Sequence, residues 1–191
     1  MFSISPQSTR DRYLWYLYDF ANSVVIIGLL YYFSLWAVVD NHMTHWIVSL
    51  PVSLSTIALI FVMPSIARKV DKNQTHKRMM ILFSIAAGTF LLCLSLLKPS
   101  AHFIYYVFIF YFLFYFCFQS GYIFYTSFIK EISNESNGVG VSGIGQLWGQ
   151  IGNLGGVLLS FATLGLTFLG VVGKQQVFLW SAIVFFILDR L

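Results

Sequence analysis

An acid, an amide and a hydroxyl lie within one helical turn near the start of the chain, at Asp19, Asn22 and Ser23. Residues three and four apart share one face of a helix, so these side chains can act together. The uncharged run 20–39 predicts a membrane span, where a carboxylate is costly and usually marks function. Asp19 could accept a proton, bind a cation or hold an ammonium group. The alternative is a structural carboxylate that pairs with a neighbouring helix or is hydrated near the membrane surface.

Amides recur at helical spacing in a later apolar run, at Gln146, Gln150 and Asn153. The i, i+4, i+7 pattern places them on one face of a helix. Amides in hydrocarbon need partners or water, so the pattern predicts a polar cavity, with interhelical hydrogen bonds as the alternative. Gln119 interrupts an aromatic-rich run and predicts a further cavity-lining position.

Glycines form a second face of the same predicted helix, about 100° around its axis from the amides. They are Gly145, Gly149, Gly152 and Gly156. A stripe of glycines lets the backbone of another helix approach closely. We therefore predict that this face packs against another helix of the same bundle.

The whole chain has the composition of a membrane protein. Of its 191 residues, 58% are hydrophobic and only 9% are charged, whereas soluble domains are about 25% charged. Uncharged runs of about the length that crosses a bilayer alternate with short charged segments. They predict an all-α integral membrane protein, a single six-helix transmembrane bundle over 1–191, with spans at about 14–39, 46–67, 78–97, 103–129, 141–166 and 175–189. The lipid bilayer is thus the first expected partner.

Lysine and arginine predict the direction of the bundle. With six spans, most basic residues fall on the side that holds both termini, and only Lys98 and Lys174 fall on the other. Cytoplasmic loops are enriched in Lys and Arg, so both termini are predicted to be cytoplasmic. The same charges account for a pI of about 9.1 without a nucleic-acid partner.

No arrangement of residues indicates catalysis or a metal site. The sequence contains no Gly-rich phosphate loop, nucleophile elbow or zinc signature, so we expect no enzymatic activity, no cofactor and no metal. Cys93 and Cys117 lie in apolar runs and are interpreted as small apolar fillers. His42 and His45 could suit a metal by their spacing, but a loop position favours a plain interface role. His76, in the basic segment between the second and third spans, is expected to be solvated.

Several segments resemble one family of transporters. The segment WYLYDFANS at 15–23 is similar to the first-span signature of the vacuolar amino-acid effluxer family and its bacterial relatives, a branch of the major facilitator superfamily. The segment YTSFIKEI at 125–132 resembles the end of that family's fourth span, and VSGIG at 141–145, with the glycines after it, resembles the fifth. Asp71 and Lys72 lie where the superfamily has its gating loop and would be its acid–base pair.

The resemblance implies a function. Members of this family have about twelve spans in two six-span halves, bind substrate between the halves and work by alternating access. This chain would be the N-terminal half of a secondary transporter for small polar solutes, with amino acids suggested by the family, in a bacterial cytoplasmic (inner) membrane. Its partner would be a second six-span half or a second copy of the chain. The alternative is a truncated, non-transporting membrane protein, left by an early stop or frameshift, or an interaction partner of other membrane proteins.

Overall fold

The computed structural model describes residues 6–133 and 138–188, and these are almost entirely helical. In chain order the helices are α1 (Pro6–Ser34), α2 (Trp46–Asn73), α3 (His76–Ser95), α4 (Phe103–Ile132), α5 (Gly138–Thr163) and α6 (Gln175–Leu188). The first helix continues directly into a π-helical segment, Leu35–Asp40. The all-helical prediction is therefore confirmed for this part of the chain, and each helix overlaps one predicted span.

Within the described residues, four helices are long and apolar enough to cross a membrane. They are Thr9–Asp40 (α1 with its π-helical extension), α2, α3 and α4. Helix α5 is long enough at 26 residues, but its glycines and amides make it less apolar. Helix α6 is apolar but has only 14 residues, or about 21 Å of helix against a hydrocarbon core of about 30 Å. These helices are compatible with a multi-pass membrane protein, and the crossing by α5 and α6 stays a prediction.

Helix boundaries differ from the predicted spans where a helix continues beyond the apolar residues or ends before them. Helix α2 continues past 67 to Asn73, because its charged residues extend the helix beyond the apolar run. Helix α5 begins at Gly138, before the predicted boundary at 141, and ends at Thr163, before 166. A turn with a positive φ of 73° at Gly170 then leads to α6. The predicted end of the sixth span, at 189, lies outside the described residues.

Two apolar clusters form the interior of the bundle. The larger includes Phe33 of α1, Phe114 of α4 and Phe178 of α6, each at most 1% exposed. The second lies nearer the start of α1 and includes Trp15 and Phe124. Helix α1 packs along α5 and against α6, and α3 packs along α4 and against α6. These contacts hold α1 between α5 and α6 and so fix the direction of its polar face.

Ion pairs join helices near both ends of α1. At one end Lys77 Nζ of α3 lies 2.6 Å from Asp11 Oδ1, and at the other Lys174 Nζ lies 2.6 Å from Asp40 Oδ1. Partly exposed pairs of this kind contribute about 0–1 kcal/mol each. These two ion pairs therefore contribute little to the stability of the bundle.

Candidate functional site

A cavity of about 300 Å³, open on one side, lies between α1, α4 and α5. We call it the α1–α5 cavity, because most of its wall comes from those two helices. Its lining residues are Asp19, Asn22, Ser23, Ile26, Phe118, Tyr122, Gln146, Gly149, Gln150 and Asn153. The structure thus places together all the cavity-lining residues that the sequence predicts except Gln119. The volume is at the lower end of the range for small-molecule sites, about 300–1,000 Å³.

The glycine face of α5 brings α5 against α1. A Cβ atom at Gly156 would lie 2.8 Å from the carbonyl oxygen of Val24, and one at Gly152 would overlap the carbonyl oxygen of Phe20. A Cβ at Gly149 would lie 2.7 Å from Asp19 Oδ2. The contacts at Gly152 and Gly156 are with backbone atoms and are closer than a real Cβ allows, so only glycine permits this approach there. The missing side chain at Gly149 gives the Asp19 carboxylate its space in the wall of the cavity.

The same relation continues toward the N-terminal end of α1. A Cβ at Gly145 would overlap the indole ring of Trp15. The glycine face, defined by Gly145, Gly149, Gly152 and Gly156, therefore lies along α1 from Trp15 to Ile27. The partner of the glycine face, which the sequence alone did not identify, is α1.

Aromatic side chains of α1 and α4 pack next to Asp19. The Tyr125 side chain lies close to the Asp19 carboxylate. The Tyr125 ring stacks between those of Trp15 and Tyr18, with centroids 4.5 Å and 5.0 Å away. Trp15 Nε1 donates to the Tyr125 carbonyl oxygen at 3.0 Å, which ties α1 to α4. A stacked, hydrogen-bonded layer of this kind restricts the rotamers of Tyr125 and holds its side chain close to the carboxylate.

The amide groups of the cavity are only partly paired. Asn22 is 6% exposed, and its Oδ1 atom has no hydrogen-bond partner. Asn153 Nδ2 donates to Gln150 Oε1 at 3.3 Å, and this bond lies within α5. Gln146 and Gln150 are exposed at the open side. The α5 amides therefore line an open polar space, and Asn153 and Gln150 bond to each other along the helix.

Gln119 lies elsewhere. Its Nε2 donates to Ser55 Oγ at 3.2 Å, and its Oε1 accepts from Thr56 Oγ1 at 3.2 Å, so it joins α4 to α2. Its neighbours Phe118 and Tyr122, one helical turn apart, line the cavity instead. The sequence missed these two because aromatic residues occur on every face of α4, which leaves no periodic contrast to mark the inner face.

The predicted gating pair has a different partner. Asp71 Oδ1 lies 2.7 Å from Nε2 of His76, and His76 Nδ1 lies 2.5 Å from Oε1 of Glu131. Lys72 takes part in no ion pair within 6–133 and 138–188. The expectation that His76 is solvated is wrong, since its side chain is 12% exposed and bridges the α2–α3 turn to the end of α4.

Comparison with known proteins adds no relative. The chain matches no protein-family model, no curated protein and no solved structure. In the described part of the chain, no three His, Cys, Asp or Glu residues come together as a metal site. The functional argument therefore rests on the geometry of the α1–α5 cavity and on the resemblance of the segments described above.

Proposed function

We propose that this chain is one six-helix bundle of a secondary transporter, the N-terminal half of a major facilitator fold, which moves small polar solutes across a membrane. The observation that carries the proposal is the α1–α5 cavity. A carboxylate, several amides and a hydroxyl line one open space among helices that are otherwise apolar. Polar groups at membrane depth are retained where they face a water-filled cavity or a substrate path.

The open side of the cavity supports the proposal that a second bundle packs against this one. Gln146 and Gln150 are exposed there, and hydrocarbon could not satisfy their amides. A second six-helix bundle placed over this side would enclose the cavity between two halves, as alternating access requires. The second bundle would be a separate half or another copy of this chain.

Solute uptake tests the proposal. The protein would be purified from membranes with any bundle that co-purifies and reconstituted into liposomes with labelled amines and amino acids. We expect uptake, and we expect Asn153→Leu, which fills the cavity and removes an amide, to slow it by about tenfold or more. Leu154→Ala is the matched control, because Leu154 is 62% exposed on another face of α5.

Two results would count against transport. Equal uptake by the Asn153→Leu and Leu154→Ala variants would mean that the cavity is not the path. Absence of uptake by an assembled two-bundle complex would favour a membrane protein that serves other membrane proteins as a partner.

A further inference from the structure

The charge of the α1–α5 cavity is unbalanced. Asp19 contributes a carboxylate, and among the residues that the structure describes the cavity wall contains no lysine, arginine or histidine. None of the ion pairs in the described ranges involves Asp19. An anionic solute would therefore meet a negative charge and no cation. A cationic group would supply the charge that the cavity lacks.

A buried acceptor lies in the same wall. Asn22 is more than nine-tenths buried, and its Oδ1 atom has no donor. Buried polar atoms in proteins are almost always hydrogen-bonded, so the Asn22 side chain keeps unused hydrogen-bonding capacity in the wall of the cavity. Asn22 lies one helical turn from Asp19, on the same face of α1. An ammonium group has several N–H donors and can bond a carboxylate and an amide oxygen together.

The rest of the wall suits an organic cation better than a bare metal ion. Phe118 and Tyr122 of α4 and Ile26 of α1 complete the lining. Aromatic rings attract ammonium groups through their negative faces. A bare metal ion would use the oxygen atoms of the wall but not its aromatic and apolar part. The cavity volume of about 300 Å³ admits a small ligand with a few carbon atoms.

We propose that the α1–α5 cavity binds small organic amines as ammonium ions, through the Asp19 carboxylate, the polar side chain of Asn22 and the aromatic side chains of α4. The inference rests on the proposed function, in which this cavity is half of the substrate site. It narrows the solute to one that carries a cationic group and no carboxylate. An amino acid would bring a carboxylate for which this wall offers no basic residue.

Matched probes test the selectivity on the purified full chain in lipid nanodiscs. The probes are n-butylammonium, n-butyrate and the zwitterion norvaline, with sodium chloride at equal ionic strength. We expect n-butylammonium to bind at least about tenfold more tightly than the other two and to raise Tm by mass action. Asp19→Asn should abolish this preference. Asp40→Asn removes a carboxylate at the opposite end of α1, outside the cavity, and should leave it intact.

Binding of n-butyrate or norvaline as tight as that of n-butylammonium would overturn the proposal. So would an equal rise in Tm with sodium chloride alone, which would indicate a site for a bare cation. If Asp19→Asn does not fold, a second variant tests the charge selectivity of the cavity. Gln150 is exposed at the open side, so Gln150→Lys adds a positive charge there without burying it. It should weaken n-butylammonium binding and favour n-butyrate, and unchanged selectivity would contradict the inference.

These experiments distinguish a failure of the amine-binding proposal from a failure of the transport proposal. Ammonium binding without uptake by any assembled preparation would reject the proposed function and keep this inference. Uptake of neutral or anionic solutes, with no binding of n-butylammonium, would support the proposed transport function and reject the proposed amine binding.

Discussion

Replacement of Gly156 by alanine should separate α1 from α5. The added Cβ would lie 2.8 Å from the Val24 carbonyl oxygen and 3.0 Å from the Val24 Cα, where ordinary contact begins at 3.4 Å. Both neighbours are backbone atoms, so no side-chain rotation can relieve the overlap. The helices must move apart by roughly half an ångström, and overpacking of this kind costs about 1–3 kcal/mol.

Gly155→Ala is the matched control for this prediction. Gly155 is the adjacent residue of the same helix, and its added Cβ would make only ordinary side-chain contacts, with the Phe20 ring at 3.5 Å and Val24 Cγ2 at 3.8 Å. Both variants gain the same helix propensity, about 1 kcal/mol for glycine to alanine, so the comparison isolates packing. Unfolding of the purified protein in detergent, followed by tryptophan fluorescence, measures the difference. Equal stability of the two variants would refute close backbone packing between α1 and α5.

Two further predictions concern topology and the wetness of the cavity. A reporter fused after Lys98 should lie outside the cell, and one fused after Arg78 should lie in the cytoplasm, because basic residues concentrate on the side of Arg78. An external reporter after Arg78 would contradict the predicted topology. In a background lacking the native cysteines, a cysteine at Asn153 should react with a hydrophilic thiol reagent much faster than one at Leu158, which is 61% exposed but on the apolar side of α5. Equal rates would indicate dry packing of the amides.

Helical spacing predicts those parts of the site that depend on one helix. Asp19 and Asn22 share a face of α1, and the amides and glycines of α5 occupy separate faces, because the helical period fixes which residues are neighbours. Spacing alone does not name the partner of a face. That the Gly149 side of α5 meets Asp19 depends on how two distant segments pack, and the structure was needed to show it.

Residues whose role depends on a distant partner escaped prediction. His76 was expected in solvent because its sequence neighbours are charged, yet it contacts Glu131, 55 residues away. Gln119 was chosen as the polar residue of an aromatic run, but it bonds to Ser55 of α2. In both cases the local sequence shows the chemistry of the side chain, and only the packing of α2, α3 and α4 shows its direction.

The composition of α5 bears on how the chain would enter a membrane during synthesis. With glycines on one face and amides on another, α5 is a weak insertion segment by itself. Its glycine face is covered by α1, which is synthesised much earlier, and until α5 arrives Asp19 and the Phe20 carbonyl lack that cover. Insertion of α5 would then be a docking step onto an α1 already in the bilayer. A substitution on that face of α1 could leave α5 outside the membrane without altering any residue of α5 itself.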